Sequence, residues 1–115
     1  MSRNLPADHS KGDERTIGGY AAVHARPAAL EGRDGMPYSV EIMTDRTGDG
    51  EQAFGAYFFF VRWKRIGKEG VEGHLETDLL AWGPDRASVR ATLGAFVIED
   101  VQRLLDGLIP EKGAT

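Results

Sequence analysis

The chain has 115 residues, 41% apolar and 28% charged, with a formal net charge of −4 and no cysteine. That is the size and composition of one globular domain with its own core. The missing cysteines exclude disulfides, thiolate metal sites and thiol nucleophiles and suit a reducing cytoplasm, the acidic balance opposes binding to phosphate backbones, and no apolar run approaches the ~18 residues of a membrane span, so a cytoplasmic protein with neither nucleic acid nor membrane as partner is expected.

Residues 1–15 carry Leu5 as their only large aliphatic side chain besides Met1. Such a stretch buries too little surface to offset its ordering, which predicts a disordered tail dispensable for folding. A single α+β domain is expected over 16–110, followed by a short C-terminal tail over 111–115. Gly19 to Arg26 reads as a weak first strand ended by Pro27, and residues 27–36, with Gly32, Asp34 and Gly35, read as a loop. Tyr38 to Thr44 alternates cleanly: Tyr38, Val40 and Ile42 point one way, and Ser39, Glu41 and Met43 the other. Asp45 to Glu51 is dense in Asp and Gly but lacks the ligand spacing of a calcium loop, so a plain connection is expected.

Phe54 to Lys64 is apolar on both faces for most of its length, as a central strand should be. Gly67-Lys68-Glu69-Gly70 suits a hairpin loop with a type I turn over Lys68 and Glu69 and Gly70 in the left-handed region. That turn would set Trp63 opposite Leu75 and Phe59 opposite Leu79 in a fourth strand running from Val71 to Trp82. Tyr57, Phe59, Val61 and Trp63 then face the core. Phe58, Phe60, Leu80 and Trp82 gather on the outer face, beside a charged lattice of Arg62 and Lys64 with Glu72, His74, Glu76 and Asp78. From Pro84 onward Val89, Leu93, Phe96, Val97, Val101, Leu104 and Leu108 recur in steps of three and four, the stripe of an amphipathic helix capped by Gly83 and ended by Gly107 and Pro110. The expected fold is therefore α+β: an antiparallel meander of about four strands with one C-terminal amphipathic helix packed on one sheet face.

No catalytic, cofactor or metal motif stands out; Ser39, Ser88 and Thr92 lack the elbow or base partner of a nucleophile. The expected function is that of a non-catalytic module that self-associates or binds a protein partner through an aromatic sheet face, with Phe58, Phe60, Leu80 and Trp82 as the interface. A homodimer is the simplest cover for that patch, and Phe60→Glu would then yield a folded monomer. The alternative is a small-ligand binder or enzyme with a polar pocket around Arg62, His74 and Glu76, joined by His24 if the first strand lies close.

Overall fold

The structure is a computed structural model, describing residues 7–64 and 70–110. Its elements are, in order, α1 (Ile17–His24), β1 (Ala29–Glu31), β2 (Pro37–Arg46), β3 (Phe54–Trp63), β4 (Val71–Glu76), β5 (Ala81–Gly83), α2 (Arg86–Gly94) and α3 (Ile98–Leu108). The strands form one antiparallel sheet in the order β1-β2-β3-β4, with β5 also paired to β3. The fold is α+β, as the residue pattern implies, but two helices follow the sheet where one was expected.

Strand β2 keeps its alternation, and its pairing decides which way β3 faces. Val40 lies opposite Phe60 and Ile42 opposite Phe58, so the two phenylalanines share the face of buried Tyr38 and Val40. Phe58 and Phe60 are fully buried, in one cluster with Ile17 of α1, Val89 and Leu93 of α2, and Val101 and Leu105 of α3. All three helices therefore lie over the same side of the sheet. The assignment from the hairpin is corrected: Phe58 and Phe60 belong to the core, and Tyr57, Phe59, Val61 and Trp63 to the other face. Gly70 does adopt positive φ, at 105°, while Lys68 and Glu69 fall outside the described residues. The pairing runs Phe60 opposite Leu75 and Phe59 opposite Glu76, with an irregularity at Arg62/Trp63. An odd-numbered slip from the expected register exchanges faces, because side chains alternate with a period of two.

The expected fourth strand is also broken. Thr77 still pairs with Phe58 through its backbone N–H (3.0 Å), and its hydroxyl accepts the Phe58 N–H (3.1 Å). Leu80 N–H donates to Ala56 (2.8 Å). Asp78 and Leu79 loop out between these contacts, so β4 and β5 are two pieces of one edge.

The segment expected as a first strand is helix α1. The Thr16 hydroxyl caps it by accepting the Gly19 N–H (3.0 Å), and Ala21 and Ala22 favour helix over strand. The stretch before it, expected as a tail, is packed on it over the described residues 7–15. Asp8 N–H donates to Val23 (2.9 Å), and Glu14 bridges His9 (3.1 Å) and His24 (2.9 Å). Residues 1–6 and 111–115 fall outside the described part.

The C-terminal helix breaks for a tertiary reason. Ile17 N–H donates to Phe96 (3.0 Å) and Ile98 N–H to Arg15 (2.8 Å), an antiparallel bridge between the N-terminal segment and residues 96–98. The backbones of Gly18 and Gly94 nearly touch there; a Cβ on Gly18 would lie 3.0 Å from the Gly94 Cα. Helix α2 starts on Asp85, not Gly83, with the Asp85 carboxylate accepting the Ser88 N–H (2.7 Å). Among the described residues no side chain caps helix α3; the Arg15 carbonyl accepts the Ile98 N–H in its place.

One polar group is held under the helices. The Tyr38 hydroxyl donates to Asp34 Oδ2 (2.8 Å), and Asp34 also pairs with Arg62 (3.4 Å). Burial, then the bond to Asp34, pushes the phenol up from 10.0 to about 12. The folded state thus keeps the proton where the unfolded chain releases it. Stability from this group is whole below about pH 10 and is lost as the pH rises towards 12. Urea denaturation across that window should show the advantage of wild type over Tyr38→Phe shrinking. An advantage that stays constant would deny Tyr38 this role.

Candidate functional site

With α1, α2 and α3 all on one side, no element among the described residues covers the opposite side of the sheet. Tyr57, Phe59, Val61 and Trp63 of β3 project there, flanked by Ser39, Glu41, Met43 and Asp45 of β2, His74 and Glu76 of β4, and Trp82 of β5. Trp82 remains 51% exposed and Trp63 41%. The side chains make their own partial cover. Trp63 Nε1 donates to Ser39 Oγ (2.9 Å), and the His74 ring stacks on Phe59 with 4.8 Å between centroids and 13° between planes.

At one end of this face lies a shallow groove of about 580 Å³ lined by Asp45, Tyr57, Glu76, Thr77, Asp78, Leu79 and Trp82. Its shape follows from Gly55, which lies opposite both Asp45 and Trp82. A Cβ at Gly55 would stand 2.9 Å from Leu79 Cδ2, so the looped-out Leu79 forms the floor where a side chain is missing. Tyr57 sits between the two carboxylates along β3, two positions from Gly55, the partner of Asp45, and two from Phe59, the partner of Glu76. Burial, then the charges of Asp45 and Glu76, hold its phenol above the ordinary value. Among the described residues none of Asp45, Glu76 and Asp78 has an ion-pair partner, whereas Asp13, Glu14, Asp34, Glu72 and Asp100 each have one.

Comparison of the chain with protein-family models, with curated proteins and with solved structures gives no match.

The residues expected to form a polar pocket are not brought together. His74 and Glu76 lie on the open face, opposite Val61 and Phe59. Arg62 lies on the covered face beside Tyr38, between Asp34 (3.4 Å) and Glu72 (3.9 Å). His24 is on α1, against Glu14 and the Tyr20 ring. Of the four side chains expected at an interface, Trp82 alone is exposed on the open face. Phe58 and Phe60 are core, and Leu80 is half-buried against it. Among the described residues no group of three or more His, Asp or Glu side chains is placed to hold a metal ion, and no helix is long and apolar enough to cross a membrane.

A signal for the true faces was present in residue type. Tyr57, Trp63 and Trp82 share the open face, and each carries a polar atom on an apolar ring; the buried rings of β3 are phenylalanines, with no polar atom to satisfy.

Proposed function

We propose that this chain is a protein-interaction module that docks its partner on the helix-free face of the sheet. The supporting observation is the one-sided placement of the helices, which leaves Tyr57, Phe59, Val61, Trp63, Met43 and Trp82 with no layer above them among the described residues. Aromatic side chains bury roughly 150–250 Å² each, so a row of them approaches the largest apolar patch a monomer normally exposes, about 300–600 Å². Amphipathic Tyr and Trp are the residue types enriched at such surfaces, because they stay compatible with water while unbound and anchor a partner when covered.

The test is Trp63→Glu combined with Trp82→Glu. Both side chains are about half exposed, so the variant should fold with an unchanged far-ultraviolet spectrum. Peptides selected for binding to wild type should shift the amide resonances of β3 and Trp82, and should fail to bind the double variant. Selected peptides that map to the helices instead, or that bind the variant equally, would refute the reading. Light scattering of the same two proteins separates its two forms. A wild-type dimer split by the substitutions gives the face to a second copy, and a wild-type monomer gives it to a different chain.

A further inference from the structure

We propose that the groove beside Trp82 receives a basic segment of a partner protein, with a Lys or Arg side chain seated between the Tyr57 and Trp82 rings. This rests on the reading of the open face as a docking surface and adds the chemistry of what docks. Two features of one place support it. Asp45, Glu76 and Asp78 line the groove, and among the described residues none has a cation to pair with. Tyr57 and Trp82 line the same groove, and an aromatic face attracts a cation through its quadrupole. A cationic side chain on an apolar stem suits a floor made by Leu79 and a rim of carboxylates.

Charge also weighs against a second copy as the occupant. Among the described residues no Lys or Arg holds a strand position on the open face. Arg46 shares the side of Phe54, where Arg86 of α2 also sits, 4.5 Å above the Phe54 ring. Arg62 shares the side of Tyr38. Two open faces brought together would enclose Glu41, Asp45 and Glu76 of both copies with no Lys or Arg strand residue of the described face to meet them, and uncompensated like charges disfavour that pairing. A basic partner meets complementary charge at Glu41, Asp45 and Glu76.

Three blocked ten-residue peptides serve as probes: alternating arginine and serine, glutamine and serine, and glutamate and serine. They are titrated against the full chain and followed by tryptophan fluorescence and amide chemical shifts. The arginine peptide should bind, moving Asp45, Tyr57, Glu76 to Leu79 and Trp82. Neutralising the groove with Asp45→Asn, Glu76→Gln and Asp78→Asn should weaken it about tenfold, as three lost surface ion pairs of modest strength imply. An equal change of net charge elsewhere, Glu51→Gln, Glu99→Gln and Asp100→Asn, should weaken it less than about threefold, through screened long-range attraction alone. Trp82→Ala should cost about two- to fivefold.

Equal weakening by the two neutralised variants would overturn the proposal by making the attraction a matter of net charge. Binding of the glutamine peptide to the same residues as tightly as the arginine peptide would overturn it while leaving the open face a docking surface. No binding by the arginine peptide would overturn it too, and the selection experiment on Trp63 and Trp82 would then judge the docking surface by itself.

Discussion

Phe60→Glu is expected to leave the chain unfolded. Phe60 is fully buried, opposite Val40 of β2 and Leu75 of β4, under the helices. Removing its ring as Phe60→Ala should cost about 3–5 kcal/mol through lost transfer energy and a cavity. The glutamate adds the cost of a carboxylate among apolar side chains with no partner, several kcal/mol more. The sum is comparable to the whole stability of an ordinary domain, about 5–15 kcal/mol. Circular dichroism and urea denaturation decide it, with Trp63→Glu as the control, since that side chain is on the open face and 41% exposed. A folded, cooperative Phe60→Glu protein would mean that the helices cover the other side of β3. The two sheet faces thus differ by an experiment with opposite outcomes, because the sequence pattern, taken through the hairpin, assigns Phe60 to the outer side.

The second large effect is expected at Leu105. Helix α3 buries Val101 and Leu105 completely, while Leu104 and Leu108 pack at the edge of the core and stay partly exposed. Leu105→Ala should therefore cost about 2–5 kcal/mol, and Leu108→Ala clearly less, read from urea midpoints at constant slope. One unbroken helix from Pro84 would carry the stripe of Val89 and Leu93 on through Leu104 and Leu108, and the ranking would reverse. The break at residues 95–97 rotates α3 relative to α2 and brings Leu105 inward. Equal costs at Leu104, Leu105 and Leu108 would contradict that rotation.

The amphipathic helices illustrate how far local pattern reaches. Steps of three and four from Val89 onward do identify helix, since only a helix brings such residues to one side. They do not locate a break made by contacts from elsewhere. Gly94 is an ordinary weak point in a helix. What interrupts the helix is the bridge from Arg15 and Ile17 to residues 96–98, and the partner in that bridge lies some eighty positions away. Helix α1 is a subtler case. Ala21 and Ala22 already favoured helix, and Thr16 is a capping residue followed three positions later by the Gly19 N–H that it accepts. The signal was there, but short.

The candidate site divides in the same way. That the sheet has an aromatic face needing cover follows from β3 itself, which is apolar at successive positions and so must expose one row if helices cover only the other. The apolar pattern of β3 does not choose the exposed row, because both rows are apolar; the cue lies in the polar atoms of Tyr57 and Trp63, and Phe59 and Val61 in the same row dilute it. The groove is further still from the sequence. It needs Gly55 opposite Trp82, Leu79 looped over the gap, and Asp45 and Glu76 on either side of Tyr57, and these come from three strands.

By itself, then, the sequence determines what depends on neighbours along the chain: the alternation of β2, the two-sided apolar character of β3, the helical period after Pro84, and the lack of cysteine chemistry. Only the tertiary structure decides which face of β3 meets the helices, because that choice is made by the pairing of Val40 with Phe60 and Ile42 with Phe58. A slip of one residue would leave every local preference of β3 satisfied while exchanging its faces. The energy that separates the two arrangements lies in contacts between distant segments, and those contacts leave Trp63 and Trp82 half exposed on the open face and put Phe58 and Phe60 in the core.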